Sequence, residues 1–148
     1  MTGLANKVLE NSREYRNNFL DSKKSIARLM KEYYEHKNLI VALDFDNTIW
    51  DYHSAGLDMN MTMEVTRAAQ VAGLEVFIFT ANEDHELVRE QCKKLFGQPL
   101  QINTNSLNHL FDSRKPFYSI LLDDRAGLES AVWQLANVVD LINRLQSS

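Results

Sequence analysis

The chain holds one cysteine in 148 residues, so it can form no internal disulfide and no thiolate-rich zinc site. That usage suits a reducing, cytoplasmic setting. Cys92 falls within a helical pattern and reads as a packed thiol rather than a nucleophile. No apolar run approaches the roughly 20 residues of a membrane span. The opening Met1-Thr2-Gly3-Leu4-Ala5-Asn6-Lys7 has no apolar signal core, so no membrane partner is expected. Proline and glycine number only 2 and 5, and no linker, low-complexity tract or internal repeat interrupts the chain. What remains is ordinary for one soluble globular domain: 45% hydrophobic and 24% charged residues.

The net charge of −4 is unevenly spread. Residues 1–37 hold eight Lys/Arg against five Asp/Glu, a balance of +3, and the remainder carries −7. The basic segment can attract an anionic partner, nucleic acid included, although a solvated helical face explains the same charge.

Residues 39–51 carry the most information. Leu39-Ile40-Val41-Ala42-Leu43 is an apolar run with the length and β-branching of a buried strand, and it stops at Asp44. Asp46 and Thr48 follow at intervals of two. A carboxylate at the carboxyl end of a strand lies where open α/β sheets bind ligands. Spacing by two puts Asp44 and Asp46 on one side of an extended backbone. Two acids so close stay ionised only with help from a cation or a shared proton, and Mg²⁺ is the obvious hard cation. The alternative for such a pair is a turn with Asx hydrogen bonds or a structural cation site.

Along the chain, strands alternate with helices. Residues 4–36 place Val8, Tyr15, Phe19, Ile26, Leu29, Met30 and Tyr33 at helical spacing, broken near Asp21-Ser22, where a second helix can start. These residues form an N-terminal helical extension, 1–38, ahead of an α/β domain, 39–148. A strand over 39–44 is followed by a helix over 62–72 that ends at Gly73. Glu75–Thr80 reads as a second strand. Asn82 is placed to cap a helix running to Phe96, which Gly97 and Pro99 end. A short strand over Leu100–Ile102, a polar loop over Asn103–Ser113, a strand over Ser119–Asp123 and an amphipathic helix over 126–145 complete the pattern. This alternation predicts a parallel, doubly wound, three-layer α/β sheet. Right-handed crossovers then bring Asp44, Thr80 and Asp123 to one edge.

Four pieces converge: Asp44-x-Asp46-x-Thr48, the strand ending at Thr80, Lys115-Pro116, and Ile120-Leu121-Leu122-Asp123-Asp124-Arg125. Their order resembles the haloacid dehalogenase superfamily of phosphohydrolases, over residues 39–125 and through the closing helix to 145. Lys115, eight residues before Asp123, is similar to the arrangement in small members. Residues 1–38 carry no motif of that family.

The resemblance implies a Rossmann-like fold and a Mg²⁺-dependent phosphomonoester hydrolase. Asp44 is the expected nucleophile and Asp46 the general acid and base. Thr80, Asn82 and Lys115 would meet the phosphoryl group. Asp44, the Asp46 backbone carbonyl and an acid of Asp123-Asp124 would hold the metal. Asp46 separates this pattern from dehalogenases and ion pumps, which lack an acid there. The intervals Thr48–Thr80 and Thr80–Lys115 leave no room for a cap domain, so a capless phosphatase is expected. A nucleotidase or nucleic-acid end phosphatase is the alternative within enzymes. A non-catalytic binding module of the same fold is the other, and it would be expected to lack Asp44, Asp46 or Lys115.

The remaining polar residues carry weaker expectations. Trp50, Asp51, Tyr52 and His53 should lie near the site mouth, touching substrate or packing the loop. Arg125 is expected to pair with Asp124, or else to meet an outer phosphate. His85 and His109 read as surface residues. The N-terminal helices are expected to pack on the domain or on a second subunit, for substrate selection or as a purely structural extension.

Overall fold

A computed structural model describes residues 3–7, 20–110 and 114–148. The expected apolar positions Val8, Tyr15 and Phe19 lie outside the described residues, as do residues 111–113 of the expected loop.

Three short strands form one parallel sheet: β1 (Ile40–Leu43), β2 (Glu75–Ile78) and β3 (Ile120–Leu122), in the order β2-β1-β3. Val41 lies between Val76 and Ile120, and Leu43 between Ile78 and Leu122. All four residues of β1 are buried, which is why this strand reads as an unbroken apolar run. The expected strand at Leu100–Ile102 shrinks to a single parallel bridge between Ile78 and Ile102. Pro99 has no N–H to donate before it, and Asn103 turns into the left-handed region at φ 57° after it.

The helices that pack with the sheet among the described residues are α1 (Ser22–His36), α2 (Asn60–Val71), α3 (His85–Phe96) and α4 (Leu128–Gln146). Asp21 caps α1 by accepting the Lys24 N–H at 3.1 Å, as the break in periodicity suggested. Gly73, at φ 94°, ends α2: its N–H reaches the Gln70 carbonyl and the Leu74 N–H reaches Ala69. Helix α3 starts two residues later than expected. Its cap is Asp84, which accepts the Leu87 N–H at 3.1 Å, so Asn82 stands outside the helix.

The two faces of the sheet differ. Val41, Leu43, Val76, Ile78, Ile120 and Leu122 share one core with residues of all four helices, including Leu29, Met63, Val88 and Leu135. The opposite face, Ile40, Ala42 and Phe77, is covered by Phe79, Leu107, Tyr118 and Leu121. The far layer is therefore loop, which corrects the expectation of helices on both faces among the described residues. Among the described residues between Ile102 and β3 there is one 3₁₀ turn, Asn108–Leu110, and no α-helix.

The chain leaves β1 toward β2 on one side and returns from the far edge to β3 on the other. The gap between β1 and β3 is thus the topological switch point, where a parallel sheet opens a crevice at the strands' carboxyl ends. Among the described residues no helix is long and apolar enough to cross a membrane.

Candidate active site

A cavity of about 430 Å³ opens at that switch point, lined by Asp44, Asp46, Asn47, Phe79, Thr80, Ala81, Asp123, Asp124 and Arg125. Five of the seven site residues read from the sequence line it. Asp44 follows β1, Thr80 follows β2, and Asp123 and Asp124 follow β3. The Asp44 N–H donates to the Leu122 carbonyl at 2.9 Å, which extends the ladder by one residue and brings the two acidic segments level.

Asp44, Asp123 and Asp124 each bring a carboxylate oxygen to within 4.8 Å of the others. Burial, a hydrogen bond with Asp124 and the charge of Asp123 push the Asp44 carboxyl from 3.8 up to about 7. A hydrogen bond from Thr48 and one from the Phe45 backbone oppose that rise without cancelling it. None of the groups that set this acidity is basic. An oxygen-only donor set at this spacing can hold a hard divalent cation, which would relieve the crowding of acids.

Thr48 acts as a hidden strut. Fully buried, its hydroxyl donates to Asp44 Oδ2 at 3.0 Å and accepts the Asp124 N–H at 3.0 Å. The motif marked Thr48 as a member, but only the fold shows it joining the acid after β1 to the loop after β3. Asn47 is left-handed at φ 60°, a conformation asparagine tolerates, and this turns the backbone after the acid pair.

Thr80 is held from both sides. Its backbone N–H donates to Asn103 Oδ1 at 2.8 Å, and Asn103 Nδ2 donates to the Thr80 carbonyl at 3.0 Å. A carboxamide here replaces a neighbouring strand. Asn103 had read only as part of a polar loop. The Thr80 hydroxyl accepts the Asn82 N–H at 3.0 Å. The Asn82 side chain donates to Asp46 Oδ1 at 3.1 Å.

Lys115 does not line the cavity. It is exposed, with its ammonium 5.5 Å from the centre of the Tyr118 ring, and Tyr118 packs at 6.1 Å on Phe79 of the cavity wall. Arg125 does line the cavity, but the expected ion pair with Asp124 is not formed; the Arg125 backbone N–H donates to Asp123 Oδ1 at 2.9 Å.

The loop after the acid pair is packed by its own residues. Trp50 stacks on Phe45 at 5.9 Å, and Asp51 accepts the N–H groups of Ala55, Gly56 and Leu57 at 2.9, 2.7 and 3.1 Å. Those bonds, that of Ala55 foremost, hold the Asp51 carboxyl below its ordinary range. Tyr52 and His53 meet edge to face at 4.9 Å on the surface, and neither lines the cavity. His109 is exposed and His85 opens α3, so neither joins the acids. Cys92 is buried in the core, where burial pushes its thiol up to about 11.

Comparison with protein-family models, with curated proteins and with solved structures returned no match.

Proposed function

We propose that this chain is a Mg²⁺-dependent phosphomonoester hydrolase of haloacid dehalogenase type, acting through an aspartyl-phosphate at Asp44. The observation that carries the reading is the convergence of Asp44, Asp46, Thr80, Asp123 and Asp124 on one cavity from three strand ends. They come from positions up to 80 apart in sequence. Fold alone would license no such reading.

The chemistry follows from the placement. Asp44 attacks phosphorus, and the bond to the leaving oxygen breaks as Asp46 gives that oxygen a proton. Water then attacks the phosphorus of the aspartyl-phosphate, Asp46 takes its proton, and inorganic phosphate leaves with Asp44 regenerated. Thr80 and the backbone N–H groups beyond it donate to the phosphoryl oxygens. Asp44, the Asp46 carbonyl, Asp123 and Asp124 are the groups that would hold Mg²⁺. When bound, that ion offsets the repulsion between nucleophile and substrate and stabilises the phosphoryl oxygens.

Lys115 keeps the neutralising role that the resemblance implies. Meeting a phosphoryl dianion would require its ammonium to leave the Tyr118 ring. Arg125 already lines the cavity and suits the outer oxygens or the leaving group.

No cap domain stands between Thr48 and Thr80 or among the described residues between Thr80 and Lys115. The site is open, and we assign it phosphomonoesters rather than mutase chemistry. The nucleotidase and nucleic-acid alternative rested on the basic N-terminal segment, and no described feature favours it. A binding module is disfavoured by the presence of Asp44, Asp46 and Lys115 together.

The test is release of phosphate from an aryl phosphate by the wild-type chain and by Asp44→Asn. Activity should require Mg²⁺, be lost in excess chelator, return poorly with Ca²⁺, and be absent in the variant. Full activity in chelator, or a variant near the wild-type rate, refutes the reading.

A further inference from the structure

Asn82 joins parts of the site that no motif connects. Its backbone N–H is taken by the Thr80 hydroxyl at 3.0 Å. Its side-chain oxygen accepts the Asp84 N–H at 2.9 Å, and Asp84 in turn caps α3 through the Leu87 N–H. With the oxygen committed to Asp84, the amide cannot turn over without losing that bond. The amide nitrogen is therefore the group that meets Asp46, at 3.1 Å from Oδ1. The chain of bonds runs from a twelve-residue helix to one carboxylate oxygen.

We propose that Asn82 is a positioning residue for proton transfer by Asp46, an inference that rests on the phosphomonoesterase reading above. An N–H donor at Oδ1 disfavours an O–H at the same oxygen, because the carbonyl oxygen of a protonated carboxyl is the better acceptor. The acid form of Asp46 thus carries its proton on Oδ2, and one carboxyl oxygen becomes the proton donor to the leaving group. Without Asn82 the proton distributes over both oxygens and the carboxyl rotates. This role differs from contact with the substrate phosphate, which the sequence alone suggested for Asn82.

Leaving-group chemistry separates the two. An alkoxide needs a proton as it departs, whereas a nitrophenolate leaves without one. The experiment compares kcat/KM for glycerol phosphate and for para-nitrophenyl phosphate, in excess Mg²⁺, with wild type, Asn82→Ala and Asn82→Asp. The aspartate variant keeps the acceptor for the Asp84 N–H and so preserves the turn. Each variant should lose at least about tenfold more on the alkyl ester than on the aryl ester, a fraction of what general acid catalysis supplies. Equal losses on both esters, or a rise in KM alone, overturn the inference and return Asn82 to phosphate binding. Wild type inert toward both esters refutes the underlying reading instead. A second measurement needs no turnover: in metal-free protein, the Asn82 side-chain amide NMR signal should move on Asp46→Ala. An unmoved signal overturns the contact itself.

Discussion

The Thr48 hydroxyl sits 3.0 Å from Asp44 Oδ2 while also receiving the Asp124 N–H at 3.0 Å. One buried oxygen therefore fixes the distance between the expected nucleophile and the acids after β3. Thr48→Val keeps the shape and removes both bonds. It strands the Asp124 N–H and should cost about 1–3 kcal/mol in stability. Loss of registry among the acids should lower kcat/KM on an aryl phosphate by at least about tenfold. Urea unfolding and ester kinetics measure the two effects, and a fully active variant would show that the strut is dispensable.

Asp44 should make the metal-free protein less stable as pH rises from about 4 to about 7. Its carboxyl is raised from 3.8 to about 7 in the fold, so the folded state holds this proton more tightly than the unfolded chain does. Stability from this group is present below about pH 4 and is lost as pH rises through about 7. Thermal melts in chelator should show wild type losing Tm between about pH 4 and about pH 7, relative to Asp44→Asn, which has no such proton to release. Added Mg²⁺ should raise the wild-type Tm most at the alkaline end, because it binds the ionised acids. Parallel melts of the two proteins across that range would contradict the assignment.

Much of this site was legible because its signals are local. Leu39–Leu43 announces a buried strand, Asp44 its end, and the same holds for the run into Asp123. What stayed hidden depends on contacts between distant segments. The sequence points to Asn82 as the cap of α3, because an asparagine ahead of the helical run suits that place. The cap is instead Asp84, and Asn82 is bonded to Thr80 and Asp46. Asn103 looks like any loop residue until its left-handed turn brings its amide against Thr80. The missing helix on the far face has a similar cause. The described residues between Asn103 and Ser119 form no α-helix, and Leu107 and Tyr118 pack against Ile40, Ala42 and Phe77 instead.

Helix α1 should matter for folding rather than for choosing substrates. Ser119 donates its hydroxyl to Glu32 Oε1 at 3.0 Å and accepts the buried Ile40 N–H at 3.0 Å, while Arg28 Nη2 reaches the Ser119 carbonyl at 3.3 Å. This network lies at the amino ends of β1 and β3. The acids lie beyond the carboxyl ends, a strand length of roughly 10 Å away. Ser119→Ala should cost about 1–3 kcal/mol by leaving Ile40 without its partner. Removal of residues 1–37 also takes away the fully buried Leu29 and should abolish cooperative unfolding. The relative rates of Ser119→Ala on different phosphate esters should match those of wild type. A truncated chain that stays folded but changes its substrate preference would restore the selective role.

The central claim is a covalent phosphoryl group on Asp44, and borohydride trapping tests it most directly. Asp46→Asn should slow hydrolysis of the aspartyl-phosphate while an activated aryl ester still forms it. Quenching that variant during turnover with borohydride reduces an acyl phosphate to an alcohol. Mass spectrometry of the peptide spanning Leu39–Trp50 should then find Asp44 converted to homoserine, and only when Mg²⁺ and ester are both present. Asp44 recovered unmodified while phosphate is being released, or the modification at another acid, would contradict the account.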